Sequence, residues 1–206
     1  KEIALIREKF AEPRITEIQT SDADDFTSES LIDDEEVAVT VTQKGYIKRI
    51  PLDEIAAQKR GGKGRSGVLT KDEDFVQNVF MTTNHKSLLC FTNKGRVYNL
   101  KVYQIPEAAL RSRGKHFANL ISLEKEERVV SVLSVPAFKE ENFIVSVTKN
   151  GFIKKTDLMA YSNVRSNGII GLKLDDGDSL VGCLICSEGE DLFLATHLGK
   201  AIRFAE

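Results

Sequence analysis

The feature that most constrains the fold is a motif that occurs four times between residues 36 and 206. Each copy has an apolar run, a threonine, two variable residues, a glycine and a second run of apolar and basic residues. The copies read "VTVTQKGYIKRI", "LLCFTNKGRVYNL", "IVSVTKNGFIKKT" and "LFLATHLGKAIRF". The threonines are Thr42, Thr92, Thr148 and Thr196, and the glycines are Gly45, Gly95, Gly151 and Gly199. A glycine between two β-forming runs predicts a hairpin, because glycine readily adopts the positive φ that tight turns require.

The spacing of these hairpins predicts a repeat architecture. Successive motif glycines are 50, 56 and 48 residues apart. Three of the hairpins are preceded by a further apolar run, "FVQNVFM", "VVSVLSV" or "LVGCLIC". A unit of about 50 residues with three or four strands has the size of a propeller blade. We therefore predict an all-β, propeller-like fold; a β-sandwich with similar hairpins is the alternative.

Two shorter segments precede the repeats. The run "KEIALIREKFAE" places Ile3, Ile6 and Phe10 at helical spacing before Pro13, which predicts a short helix. We expect residues 1–20 to be the end of a helix and a linker from an upstream domain. Residues 21–36 are predicted to be an acidic connector, and residues 37–206 to be the β domain.

The net charge of −2 combines two unlike regions. Residues 22–36 carry eight acidic side chains and no lysine or arginine, whereas residues 1–20 are balanced. The rest of the chain holds 25 basic and 19 acidic residues. This mildly basic body is compatible with a polyanionic partner. The connector is either a plain solvated linker, the simpler interpretation, or a competitor for the same basic surface.

The loops after the first three hairpins share basic residues and glycines. They contain "QKRGGKGRSG" at residues 58–67, "RSRGKH" at 111–116 and "NVRSNGIIG" at 163–171. Lysine and arginine can neutralise phosphates, and glycines let backbone N–H groups approach them. The candidate DNA-binding residues are Gln58, Lys59, Arg60, Gly61, Gly62, Lys63, Gly64, Arg65, Arg111, Arg113, Lys115 and Arg165. His116 is a further candidate for a phosphate contact.

Other uses of the first loop fit less well. Gly62, Gly64 and Gly67 match G-x-G-x-x-G, but the next residues, "SGVLT", are β-like, whereas a dinucleotide fingerprint opens a helix. The loop has no aromatic residue to stack on an unpaired base and no helix to enter the major groove. The expected mode is therefore sequence-tolerant binding to duplex phosphates; a solvated basic turn is the alternative.

The cysteines and histidines suggest no metal or redox site. Cys183 and Cys186 form a C-x-x-C, but they lie in a strand-like run, and a structural zinc needs about four ligands. We expect ordinary core cysteines in a reducing compartment. No apolar run approaches the roughly 18 residues of a membrane span, so no membrane partner is expected.

Together, the loop and the hairpins resemble a known family. "QKRGGKG" is similar, at every position, to the box Q-R/K-R-G-G-R/K-G that marks the C-terminal domains of DNA gyrase A subunits. The Thr-x-x-Gly hairpins resemble the blade repeats of that family, and "LIREKFAEPRITEI" resembles the linker from its cleavage core. The resemblance covers essentially the whole chain.

The resemblance implies a β-pinwheel, a propeller-like fold whose blades exchange strands and around which duplex DNA wraps. The family usually has six blades, so with four units here we expect two to be absent from this sequence. The domain is expected to be non-catalytic, with no metal or cofactor of its own. ATP and magnesium would serve the holoenzyme, an ATP-dependent type II topoisomerase that introduces negative supercoils. The implied partners are the cleavage core of the same subunit, together with the gyrase B subunit, in the bacterial cytoplasm at the nucleoid.

Three alternatives to this function stay open. A domain of the topoisomerase IV type would bind DNA segments without strong wrapping, although its box is usually degenerate or missing. A propeller-like protein-interaction module would carry the basic loop incidentally. A nucleotide enzyme is disfavoured by the sequence that follows the glycines.

Overall fold

The computed structural model describes residues 2–10, 29, 31–55, 74–135, 137–165 and 167–205. It divides into two compact units, Lys1–Leu31 and Ile32–Glu206. The described part of the first unit contains one helix, α1 (Glu2–Phe10), with no buried residue. Its apolar side chains are solvent-exposed; Ile3, for example, is 83% exposed. The short N-terminal helix predicted from the sequence is confirmed, while the boundaries proposed at residues 20 and 36 stay a prediction.

In its described residues, the second unit contains thirteen strands. They are β1 (Glu36–Thr42), β2 (Tyr46–Pro51), β3 (Val76–Thr83), β4 (Ser87–Thr92), β5 (Arg96–Lys101), β6 (Lys115–His116), β7 (Val129–Val135), β8 (Asn142–Thr148), β9 (Ile153–Asp157), β10 (Ile169–Ile170), β11 (Leu180–Ser187), β12 (Asp191–Ala195) and β13 (Ala201–Ala205). The four predicted hairpins are β1–β2, β4–β5, β8–β9 and β12–β13. The predicted all-β fold of repeated hairpins is therefore confirmed.

Each strand that precedes a hairpin pairs with the hairpin before it. β3 pairs with β1, β7 with β4 and β11 with β8, all antiparallel. In addition, the two-residue strand β6 pairs with β2, and β10 pairs with β5. The resulting sheet orders are β3-β1-β2-β6, β10-β5-β4-β7, β11-β8-β9 and β12-β13. In the first two sheets, the last strand therefore comes from the segment after the next hairpin. This is the strand exchange expected from the resemblance.

The cores lie between successive sheets. Alternate residues of a strand point to opposite faces, and Leu88 and Cys90 of β4 join one apolar cluster with β1 and β2 residues. Leu89 and Phe91 of the same strand join a second cluster with residues of the third sheet, such as Ile144. Because both faces are covered, the run "SLLCFT" is buried throughout, which explains its continuous apolar character.

Candidate nucleic-acid interface

The four hairpin turns share one hydrogen-bond pattern, which explains the Thr-x-x-Gly spacing. In each turn the glycine N–H donates to the threonine carbonyl, at 2.9–3.0 Å. The threonine Oγ1 accepts from the N–H four residues later, at 3.2 Å in all four turns. The four glycines have φ between +75° and +88°, a range that L side chains rarely adopt. The motif therefore specifies a turn, and its threonine is a structural residue.

An acidic residue supports three of these turns, and its role was not predicted from the sequence. Asp74 Oδ1 accepts from the Lys44 N–H at 3.0 Å, and Asp178 Oδ1 accepts from the Asn150 N–H at 3.1 Å. The buried Glu127 accepts from the Thr92 hydroxyl at 2.7 Å. All three stand two positions before the first residue of a strand, β3, β7 or β11. An acidic residue repeated at this offset before a strand could have indicated the role from the sequence.

The predicted site residues fall into three groups. Gln58, Lys59, Arg60, Gly61, Gly62, Lys63, Gly64 and Arg65 lie outside the described residues. Arg111, Arg113 and Lys115 lie together in the loop after the second hairpin, here called the basic loop (residues 109–116). Arg165 is exposed in the corresponding loop after the third hairpin.

The basic loop is seated on the first hairpin, the one before its own. Lys115 and His116 pair with Ile47 and Tyr46 through β6. Gly114 has φ +86°, and a Cβ added there would lie 2.5 Å from the Ile47 carbonyl oxygen. A larger residue would therefore force the loop away from the hairpin. The close approach fixes the backbone that follows Arg113.

Two aromatic contacts order the end of the basic loop. The Arg113 guanidinium lies 4.9 Å from the centre of the Tyr46 ring, a cation–π contact. The His116 ring meets the same tyrosine edge-on, with centroids 5.3 Å apart. His116 Nδ1 also accepts from the Ala118 N–H at 3.2 Å. Arg111 and Lys115 are exposed, whereas Arg113 is half-buried. The loop thus presents exposed cations from an ordered backbone.

Lys48 of β2 holds the other end of the basic loop, a role that was not predicted from the sequence. Its Nζ donates to the carbonyl oxygens of Ala109, Leu110 and Ser112, at 3.2, 2.5 and 2.9 Å. The side chain is only 1% exposed, and burial lowers the pKa of its ammonium group below the usual value. One signal was present: a lysine inside an apolar strand requires buried acceptors.

The second hairpin contacts the loop after the third hairpin through different side chains. The Arg96 guanidinium donates to the Asn167 carbonyl at 2.7 Å and forms an ion pair with Glu124 at 2.7 Å. The motif position equivalent to Lys48 is Tyr98, whose hydroxyl donates to the Ser122 carbonyl at 2.8 Å. Burial raises the pKa of Tyr98. The arginine that contacts the loop of Arg165 is therefore paired with an acidic side chain, and the basic loop has the denser set of exposed cations.

The cysteines are packed in strands. Cys183 Sγ donates to Ser146 Oγ at 3.4 Å, and burial raises the pKa of this thiol to about 11. Burial raises the pKa of Cys90 to about 12. Thiols with such pKa values stay protonated and unreactive near neutral pH. Within the described ranges, no group of three or more histidine, cysteine or acidic side chains could hold a metal ion.

A long apolar helix is also absent from the described part of the chain: none there could cross a membrane.

Comparisons with known proteins identify the family. The model of the DNA gyrase C-terminal domain, beta-propeller, matches residues 36–83, 86–136, 142–187 and 190–206. The A subunit of DNA gyrase from Clostridium acetobutylicum is 44% identical over 205 residues, covering 100% of this chain and 25% of that protein. The chain therefore spans about a quarter of the length of this curated relative.

Solved structures show the same fold. The C-terminal domain of DNA topoisomerase IV superposes with a TM-score of 0.72 at 31% identity, covering 84% of this chain and 53% of that one. The DNA gyrase A C-terminal domain superposes with a TM-score of 0.61 at 24% identity, over 82% of this chain and 54% of that one. The predicted propeller-like pinwheel class is confirmed. From the match over all four repeats, this chain belongs to the DNA gyrase C-terminal domain family.

Proposed function

We propose that this chain binds duplex DNA through the sugar–phosphate backbone and wraps it, as a non-catalytic domain of a gyrase A subunit. The observation that carries the proposal is the basic loop, an ordered backbone that presents Arg111 and Lys115 to solvent with Arg113 between them. Family membership and the segment "QKRGGKG" support the same conclusion. The proposed site consists of residues 58–65, the three cations of the basic loop and Arg165.

The mechanism requires many weak contacts, because duplex DNA is stiff over about 150 base pairs and bending it costs several kcal/mol. Each neutralised phosphate releases counterions, and these contacts offset the bending energy. Residues 58–65 are proposed to provide the densest contact, with the basic loop and Arg165 guiding the duplex further along. In the holoenzyme, this wrapping would support ATP-dependent negative supercoiling together with the cleavage core and the B subunit. ATP and magnesium would act in the holoenzyme, outside this domain.

The test is the salt dependence of binding to a linear duplex, measured by gel shift. With about six phosphate contacts, log K should fall against log salt with a slope near −5. Replacing Lys59, Arg60, Lys63 and Arg65 with alanine should flatten that slope. It should also abolish the change in linking number that wrapping produces in a relaxed plasmid. The control replaces Lys125, Arg128, Lys139 and Lys149, which are exposed cations outside the three loops. Equal effects of the two variants, or salt-insensitive binding by the unaltered chain, would refute the proposal.

A second candidate is binding without strong wrapping, the mode expected of a topoisomerase IV-type domain. The observation in its favour is the superposition on the topoisomerase IV C-terminal domain, with a TM-score of 0.72. The intact "QKRGGKG" segment favours wrapping instead. The two candidates differ in plasmid topology, since only wrapping changes the linking number of a relaxed plasmid.

A further inference from the structure

The third residue after each motif glycine differs among the hairpins. It is Lys48, Tyr98, Lys154 and Ile202 in chain order. Lys154 is exposed, and its Nζ donates to the Gly171 carbonyl at 3.0 Å. Lys48 is buried, and its Nζ contacts three carbonyl oxygens of the basic loop. Among these four positions, Lys48 is therefore the buried lysine, and its ammonium group holds the basic loop through three carbonyl oxygens.

The three carbonyls lie on both sides of Arg111. An ammonium group has three donors, and three acceptors lie within 3.2 Å of Lys48 Nζ. A buried charge is tolerated only when it is well hydrogen-bonded, so the position of the ammonium and the course of residues 109–112 depend on each other. Gly114, which precedes β6, packs closely against the same lysine, because a Cβ there would lie 2.8 Å from Lys48 Cβ.

We propose that Lys48 is a positioning residue for DNA binding, which holds the basic loop so that Arg111, Arg113 and Lys115 face the phosphates together. This inference rests on the proposed function. Lys48 itself is 1% exposed and cannot reach a phosphate. Any change in phosphate contacts on its replacement must therefore act through the loop.

The test is Lys48→Met, which keeps a stem of similar length and removes the ammonium. We expect the magnitude of the log K against log salt slope to fall by about 2 to 3, as if two or three phosphate contacts were lost. Lys154→Met is the matched control, since it removes one charge at the same motif position. Its slope should change by no more than about 1. A purely structural role would lower the melting temperature of Lys48→Met and leave the slope of the folded protein unchanged, which would overturn the inference.

A second variant covers the case in which Lys48→Met fails to fold. Gly114→Ala displaces the same loop without altering any charge, so it should flatten the slope while circular dichroism shows an intact β fold. A folded Gly114→Ala with an unchanged slope would also overturn the inference.

The combined variant Arg111→Ala, Arg113→Ala and Lys115→Ala separates this inference from the proposed function. If it leaves the slope unchanged, the basic loop does not bind DNA and the proposed function fails at this site. If it flattens the slope while Lys48→Met and Gly114→Ala do not, only the positioning role fails.

Discussion

The first two hairpins and the last two follow the same sequence pattern but differ in burial. The second strands of the first two, β2 and β5, have identical patterns with three buried positions each. The second strands of the last two, β9 and β13, share a pattern with none. Ile47 and Ile153 both stand two residues after a motif glycine, yet they are 0% and 40% exposed.

The difference in burial comes from the segment of the chain that follows the next hairpin. β6 pairs with the edge of β2, and Phe117 just after it joins the core cluster of Ile47; β10 pairs with the edge of β5, and Tyr161 before it joins the core cluster of Val97. In the described part of the chain, β9 pairs only with β8. A hairpin of this kind therefore needs a partner segment that is distant in sequence to bury its second strand. The loop that contains β6 also carries Arg111, Arg113 and Lys115, which are proposed to bind DNA, so one loop serves both the packing and the proposed function.

The largest effect that tests this comparison is a pair of cavity mutations. Ile47→Ala should lower the free energy of unfolding by about 2–5 kcal/mol, the usual range for a fully buried isoleucine. Ile153→Ala should cost much less, because its side chain already contacts solvent. Urea denaturation of both variants measures the two losses in the free energy of unfolding. Similar losses would show that the exposed β9 is as tightly packed as β2.

Glycine replacements give an intermediate effect. Gly151→Ala should cost about 1–2 kcal/mol for its positive φ alone, since nothing lies within 4 Å of the added Cβ. Gly114→Ala has the same backbone penalty plus a clash with the Ile47 carbonyl at 2.5 Å. Thermal unfolding should therefore rank Gly114→Ala as clearly less stable than Gly151→Ala. Equal melting temperatures would mean that the basic loop is not seated on the first hairpin as described.

The smallest effect concerns the start of the β domain. The His85 N–H donates to Asp34 Oδ1 at 2.9 Å, and this bond lowers the pKa of the Asp34 carboxyl. A lowered folded-state pKa stabilises the fold above the ordinary aspartate pKa, about 4, and the stabilisation disappears as pH falls through the folded value. Unfolding midpoints of the native chain and Asp34→Asn should therefore differ at pH 7 and converge in acid. A difference that persists at low pH would contradict this role.

The hairpins could be predicted well from the sequence because their signals are local. Thr42 and Gly45 specify a turn through bonds within five residues, and the same holds in every repeat. The partners of the strands were not predictable in the same way, because β6 and β2 are far apart in the chain. Lys48 was missed for that reason: its acceptors lie 61 to 64 residues away. The roles proposed for Arg111, Arg113, Lys115 and Arg165 stay predictions.

The most direct test of DNA wrapping is the linking number of a plasmid relaxed by a type I topoisomerase in the presence of this chain. Wrapping predicts a linking-number change of constant sign that grows with the ratio of protein to plasmid. The alanine variant of Lys59, Arg60, Lys63 and Arg65 should abolish this change, while the control variant at Lys125, Arg128, Lys139 and Lys149 retains it. An unchanged linking number, at protein concentrations where a gel shift shows the plasmid bound, would contradict the account.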